Sequence, residues 1–163
     1  MQFKVIPVPK ILKNDVECIR ITEFDGEQPL AINVCLNALP GIVFQHHNGR
    51  SPVENITTRF SSVTAIPTLY IYGQMTEPGV MNHKQEPFTT TQIVLKPHAL
   101  QSLLGLNASE LTNNLVELNG LSAKPLNIQL MEARSEEEQL RLLTTFLVKK
   151  LDQAKSRDCL IEE

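Results

Sequence analysis

The sequence predicts an α+β fold in which an antiparallel β-barrel precedes a group of helices. About seven short segments with strand-like alternation, separated by turn residues, fill the first ~95 residues. At Pro97 the apolar spacing becomes helical, with Leu100, Leu103 and Leu104 on one side. Strands that come first and helices that follow are typical of α+β proteins. We therefore expect one domain, with a barrel part at residues 1–96 and a helical part at residues 97–163.

Composition favours a globular protein that does not bind nucleic acid by itself. The chain has 163 residues, of which 42% are hydrophobic and 20% charged, which is enough to bury a core. The net charge of −3 lacks the basic excess of a DNA-binding surface. Cys18, Cys35 and Cys159 are odd in number and widely spaced, as expected of reduced thiols in a cytoplasmic protein. We find no signal peptide pattern and no run long enough to cross a membrane.

The predicted strands are short and separated by recognisable turns. They cover residues 3–8, 16–24, 29–36, 42–46, 56–61, 68–75 and 88–96. Asn48-Gly49 is the best hairpin signal, because both residues tolerate the positive φ angles of a type I′ turn. Pro78, Gly79 and Pro87 predict an irregular loop between the last two strands. Strands of this number and length indicate a sandwich or barrel, and a cupin-like barrel is the simplest arrangement.

Capping residues mark the predicted helices that follow Pro97. A short helix runs to about residue 104, and another begins at Asn107, with Glu110 three residues on as a reciprocal cap. A further segment covers residues 123–133, where Pro125 suits a first helical turn. The clearest helix runs from residue 136 to about residue 155, with Ser135 as its cap.

The histidines do not follow a metal-binding pattern. Metal-binding barrels of this kind place two histidines two residues apart on one strand face, whereas His46 and His47 are adjacent and would point to opposite faces. His83 in a loop and His98 at a helix start have no metal-like spacing between them, and the histidines at the hairpin tip and the helix start are expected to face solvent. The sequence also lacks a nucleophile elbow and a glycine-rich phosphate loop. We therefore predict no catalytic residue, no metal and no cofactor.

Three segments in order carry a family resemblance. They read Tyr-Gly-Gln-Met-Thr-Glu-Pro at 72–78, Val-Leu-Lys-Pro-His-Ala-Leu at 94–100 and Glu-Leu-Thr-Asn at 110–113. Together they resemble the N-terminal regulatory domain of AraC-type bacterial transcription regulators. The resemblance implies a cupin-like barrel that senses a small-molecule effector and dimerises. It also implies that a C-terminal helix-turn-helix domain, absent from these 163 residues, reads the DNA. The alternatives are a small cupin-type enzyme, an isomerase or a dioxygenase, and a stand-alone binding protein.

A barrel of this size can hold one small ligand. Alternation places two tyrosines and a glutamine on one face of the predicted strand 68–75, and an aromatic residue of strand 42–46 is expected to join them. The candidate ligand-binding residues are Phe44, Tyr70, Tyr72 and Gln74. In the alternative arrangement, Leu69 and Ile71 face the core while the tyrosines face water or the helices.

The last predicted helix carries an apolar arc of about 180°, wider than a coiled-coil seam requires. One side of such an arc can pack on the barrel while the other meets a second subunit. We therefore predict a homodimer. The candidate interface residues are Leu140, Leu143, Leu147 and Leu151. The alternative is that one broad face of the barrel covers the whole arc and leaves a monomer.

Overall fold

The computed structural model describes residues 1–34, 39–118 and 125–161. Within these ranges it contains ten strands, three α-helices and two short 3₁₀ helices, and the strand-rich part comes first. The predicted α+β class is therefore confirmed. Cys35 and Leu36, at the end of the predicted strand 29–36, lie outside the described residues, as do the first two residues of the predicted segment 123–133.

The strands form two antiparallel sheets. Their bounds are β1 Gln2–Ile6, β2 Val16–Phe24, β3 Leu30–Val34, β4 Gly41–His46, β5 Val53–Thr58, β6 Ser62–Val63, β7 Leu69–Tyr72, β8 Gly79–His83, β9 Phe88–Leu95 and β10 Leu115–Glu117. The larger sheet has the order β1-β2-β9-β4-β7-β10, and the smaller sheet has the order β3-β8-β5-β6. No pairing within the described ranges joins an edge of one sheet to an edge of the other. The predicted closed barrel is therefore wrong, because the strands form two separate sheets.

The sequence prediction missed three strands, β6, β8 and β10, of which β6 has only two residues. β8 lies where Pro78, Gly79 and Pro87 favour a loop, yet it pairs with both β3 and β5. The prolines stand outside β8, so they remove no hydrogen bond from it. β10 has three residues, which is too short for alternation to be detected.

The hairpin between β4 and β5 has the predicted turn. Asn48 and Gly49 have φ angles of 49° and 77°. The backbone groups of His47 and Arg50 exchange two hydrogen bonds, of 2.8 and 3.0 Å. This geometry confirms the hairpin turn predicted from Asn-Gly.

The helices are α1 Ala99–Leu104, α2 Leu126–Glu132 and α3 Glu136–Ile161. The predicted helix at Asn107 is only a 3₁₀ turn, Ala108–Leu111, in which the Asn107 side chain accepts a hydrogen bond from Ser109 N. The predicted cap of α3 is confirmed, because Glu138 N donates to Ser135 Oγ at 3.1 Å. The Glu138 carboxylate accepts from Arg134 N at 2.8 Å, one residue earlier than a capping box requires. None of the described helices is both long enough and apolar enough to cross a bilayer.

The main core lies between one face of the six-stranded sheet and the helices. Alternate residues of β2, β4, β7 and β9 point toward α1 and α3 and are buried. The largest of these strand residues are Ile19, Ile42, Phe44, Leu69, Ile71, Ile93 and Leu95. The side chains on the opposite face of the same sheet therefore lie outside this core.

The structure corrects half of the predicted dimer interface. Leu143 and Leu147 are 1% and 0% exposed and belong to the core under α3, so they present no surface to a partner. Leu140 and Leu151 are half-buried at the margin of the same core. In the middle of α3, other parts of the same chain cover the apolar arc, and α1, α2 and the 3₁₀ turn Lys10–Leu12 are in contact with the helix. The homodimer itself stays a prediction.

Candidate ligand-binding cavity

A cavity of about 350 Å³ lies between the two sheets. Its floor is the face of the six-stranded sheet that points away from the helices, and its roof is the inner face of the four-stranded sheet. The floor residues include Arg20, Thr22, Val43, Gln45, Tyr70, Tyr72, Thr90 and Gln92. Most of these side chains are polar, although they stand on strands whose other face is the apolar core.

Strand register arranges the floor side chains in rows. Arg20 of β2 lies opposite Gln92 of β9, which lies opposite Val43 of β4, which in turn lies opposite Tyr70 of β7. Directly opposite residues in an antiparallel pair share a face, and their Cβ atoms are about 5 Å apart. One continuous row therefore crosses four strands in the middle of the floor, and we call it the central row.

Gln45 connects the central row to the row beside it. Its side chain is 2% exposed. Its Oε1 accepts a hydrogen bond from Thr90 Oγ1 at 2.9 Å, and its Nε2 donates to the Tyr70 hydroxyl at 3.4 Å. Burial raises the pKa of Tyr70 far above its ordinary value, so this hydroxyl keeps its proton.

Gly41 allows Tyr72 to reach across β4. A Cβ at Gly41 would overlap the Tyr72 hydroxyl and lie 2.7 Å from the carbonyl oxygen of Ile93. With no side chain there, the Tyr72 hydroxyl accepts a hydrogen bond from Gln92 Nε2 at 2.7 Å. Burial raises the pKa of Tyr72, while the Gln92 hydrogen bond and the positive charge of Arg20 act against that rise. Tyr72 is thus protonated and close to the only charged side chain of the described cavity lining.

The roof of the cavity is apolar in the middle. Ile32 of β3, Met81 of β8, Ile56 of β5 and Val63 of β6 stand opposite one another in register across the four-stranded sheet. All four line the cavity. The cavity therefore has one hydrogen-bonding wall and one apolar wall.

Stacked rings close one end of the cavity. Phe88 stacks on Phe24 with 4.6 Å between ring centroids, and on His83 with 4.9 Å. The chain crosses between the sheets from β2 to β3, from β4 to β5 and from β8 to β9 at this end. His83 is 6% exposed, and its Nδ1 has no hydrogen-bond partner among the described residues. The predicted loop position of His83 is wrong, because His83 ends β8 and lies in the interior.

Acidification is expected to destabilise the domain through two histidines whose pKa values are lowered by burial. Burial lowers the pKa of His83, and nearby carbonyls of Met81 and Leu30 only partly offset this. Burial, with the charge of His47 second, also lowers the pKa of His46. Below a pH of about 6.5 the unfolded chain therefore binds more protons than the folded chain, and stability falls as the pH drops through the folded pKa values. We expect the thermal unfolding midpoint to decrease from pH 7.5 to pH 5.

The variant His83→Phe separates the contribution of His83 to the pH dependence from that of His46. Phenylalanine keeps the ring stack and removes both the titrating group and the unpaired Nδ1, so the decrease in the midpoint should be smaller than in the parent. His98→Gln, at a side chain that is 56% exposed, serves as the control. An equal decrease in the parent and in His83→Phe would contradict a role for His83.

The predicted ligand-binding residues do not all meet in the cavity. Tyr70 and Tyr72 line it, and Leu69 and Ile71 face the helices. The placement of Phe44 is wrong. It lies opposite Leu69, and directly opposite residues share a face, so its ring belongs to the core under the helices.

Gln74 lies beyond the end of β7, outside the described lining of the cavity. Its Nε2 donates to the Thr112 hydroxyl at 3.4 Å. Next to it, Asn113 Oδ1 accepts from Thr76 N at 2.7 Å, and Gly73 N donates to Asn114 O at 3.1 Å. The predicted role of Gln74 in the pocket is therefore wrong, and its side chain helps to bind the turn at 73–78 to residues 111–114.

Several of the residues that shape the cavity were not predicted from the sequence. Arg20, Gln45 and Gln92 were not singled out, and neither was Gly41. The available signal was the position of Gln45 and Gln92 within strands that are otherwise strongly apolar. Buried polar residues are more informative than exposed apolar ones.

No metal-site geometry appears in the part of the chain that the structure describes, in which no three His, Cys, Asp or Glu side chains come together. The adjacent histidines at the end of β4 are held by local contacts. His46 Nδ1 accepts from Gly49 N at 3.3 Å, and His47 Nδ1 donates to the Pro87 carbonyl at 2.7 Å. The absence of a metal from the protein stays a prediction.

The fold and the cavity define a class of protein: an α+β domain with a ligand-sized space between two antiparallel sheets. Residues 4–117 match the family described as a domain of unknown function, DUF6597, and the chain belongs to this family. The matched range begins within β1 and ends with β10, so it contains the cavity, whereas α2 and α3 lie beyond it. No curated protein and no solved structure matches the chain.

Proposed function

We propose that this chain is the ligand-sensing and dimerisation domain of an AraC-type transcription regulator in the cytoplasm. DNA would be read by a helix-turn-helix domain outside these 163 residues. The observation that carries the sensing role is the cavity. Its volume of about 350 Å³ is within the usual range for small-molecule sites, and it combines an apolar wall with a few oriented polar groups.

The motifs that carry the resemblance support the assignment to this class. The Tyr-Gly-Gln-Met-Thr-Glu-Pro segment and the Glu-Leu-Thr-Asn segment bind each other through Asn113 and Thr76. Two segments that are separate in the sequence are thus in direct contact in the fold. We also infer that the two sheets form a cupin-like arrangement that is open at its edges.

The charge of the chain supports assigning ligand sensing to this domain and DNA reading to another. A net charge of −3 gives little counterion release on DNA, so a domain of this composition suits sensing better than DNA reading. For dimerisation we propose the end of α3. From Asp152 to Ile161 no described side chain is buried, and Leu160 and Ile161 are 75% and 82% exposed. Leu151, half-buried, lies where this exposed part of the helix begins.

Ligand sensing is tested by a thermal-shift screen of metabolites on residues 1–163, with a variant in which the cavity is filled. A ligand at about 100 times its dissociation constant adds ~2.7 kcal/mol of stability. Val43→Trp, in the central row, should abolish the shift while the protein stays folded. Val116→Trp, on the face of β10 outside the cavity, should retain it. A metabolite that is consumed and replaced by a product would instead favour the enzyme alternative.

Dimerisation is tested by fusing residues 1–163 to a DNA-binding domain that represses its reporter only as a dimer. We expect repression by the fusion and its loss in Leu151→Asp. Lys149→Asp, at an exposed position of the same helix, should have no effect. Absence of repression by a well-expressed fusion would refute the dimer.

A further inference from the structure

We propose that the cavity takes a small organic carboxylate with an apolar body, and that Arg20 and Tyr72 bind its carboxylate group. This inference rests on the proposed function, because it names the class of ligand for the same site.

The charge of the cavity favours a single negative charge on the ligand. Arg20 carries the only full charge among the described lining residues, and no Asp or Glu stands among them. Within residues 1–34, 39–118 and 125–161 its guanidinium makes no hydrogen bond and no ion pair. A guanidinium offers paired N–H donors that match the two oxygens of a carboxylate. One such cation fits a monoanion better than a doubly charged phosphate ester.

The two tyrosine hydroxyls of the floor add hydrogen-bond donors. The Tyr72 hydroxyl accepts a hydrogen bond from Gln92, and the Tyr70 hydroxyl accepts one from Gln45. Each hydroxyl therefore keeps its own hydrogen to donate toward the cavity. Arg20 lies directly opposite Gln92, and the Gln92 amide donates to the Tyr72 hydroxyl, so Arg20 and Tyr72 both flank this residue. Converging donors of this kind suit the oxygens of an anion.

The apolar row of the roof determines the chemistry of the rest of the ligand. The row of Ile32, Met81, Ile56 and Val63 offers apolar contact and no hydrogen bond from its side chains. A polyol placed against this row would leave hydroxyl groups unpaired, at a cost in free energy. At about 30 Å³ per water molecule, the cavity of about 350 Å³ has room for roughly 12 waters, and a ligand with about that many non-hydrogen atoms fits it. A short aliphatic or aryl-substituted acid fits both the size and the two-sided lining.

The test compares acids with their uncharged counterparts. Residues 1–163 are titrated with straight-chain carboxylates of about four to eight carbons and with phenylacetate, each beside its primary amide. Binding is measured by calorimetry and by thermal shift. We expect an acid to bind and its amide to bind at least tenfold more weakly. Arg20→Gln should weaken binding of the acid at least tenfold, and Tyr72→Phe should weaken it severalfold. Arg50→Gln, in the hairpin turn, should bind like the parent, and unfolding midpoints without ligand establish that each variant folds.

Three results would overturn the inference: equal binding of acid and amide, unchanged binding by a folded Arg20→Gln variant, or no binding by any acid of the panel. If neutral metabolites bind instead and Val43→Trp blocks them, the ligand class is wrong while the sensing role stands. If no metabolite of any class shifts the unfolding midpoint, the sensing role fails as well.

Discussion

Gly73→Ala is expected to destabilise the domain by more than about 3 kcal/mol, because it forces two backbones apart. A Cβ at Gly73 would overlap the carbonyl oxygen of Leu111 and lie 2.7 Å from the Leu111 Cβ. Leu111 is itself buried in the main core and has little freedom to retreat. The hydrogen bond from Gly73 N to Asn114 O would be strained at the same time. Urea denaturation followed by circular dichroism measures the loss.

Gly79→Ala is the matched control. Gly79 also lies beside the turn at 73–78, and its nearest neighbour, the Thr57 carbonyl oxygen, would be 3.3 Å from the new Cβ. A shift of a few tenths of an ångström relieves that contact, so we expect a loss of less than about 1 kcal/mol. Equal losses in the two variants would mean that the close approach of Leu111 is not what requires glycine at position 73.

Leu143→Ala is expected to cost about 2–5 kcal/mol in the free energy of unfolding, since it opens a cavity under the middle of α3. The side chain packs in the same core as Leu100 and Leu103 of α1, and α1 and α3 are in contact. The same denaturation experiment measures the loss, and light scattering on the parent and the variant measures assembly at micromolar concentrations.

Leu151→Ala and Leu160→Ala complete the series along α3. Leu151 is half-buried and should cost less than Leu143, and the exposed Leu160 should cost almost nothing within one chain. If the parent dimerises through the end of α3, these two variants weaken the dimer while Leu143→Ala does not. A Leu143→Ala variant of parental stability that loses the dimer would restore Leu143 to the interface and contradict the packing described above.

The sequence was most informative where one short-range rule decides the structure. Asn48-Gly49 fixes a hairpin, Ser135 caps a helix, and the change of period at Pro97 marks the start of α1, although β10 later rejoins the six-stranded sheet. β8 was missed because its two partner strands, β3 and β5, are distant in sequence and their pairing overrides the local turn residues. The closure of a barrel depends in the same way on edges that no local pattern describes.

The cavity was half predictable from alternation. Alternation within β7 separates Tyr70 and Tyr72 from Leu69 and Ile71, as the sequence indicates. It does not say which residues of β4 share that side, because this depends on register, and a shift of one residue exchanges Phe44 for Val43. The bridge from Tyr72 to Gln92 also depends on register, which places Gly41 between them.

The six-stranded sheet determines which parts of the molecule unfold together in local opening. β4, β7 and β9 supply side chains alternately to the cavity floor and to the core under α1 and α3, so the two compartments share these strands. A fluctuation that separates these strands must open both compartments at once, which makes the sheet and its helices one cooperative unit. We therefore expect a ligand in the cavity to slow the opening of α1 and α3, which do not line it. Slower hydrogen exchange of the α1 and α3 amides would then report ligand binding on the opposite face of the sheet.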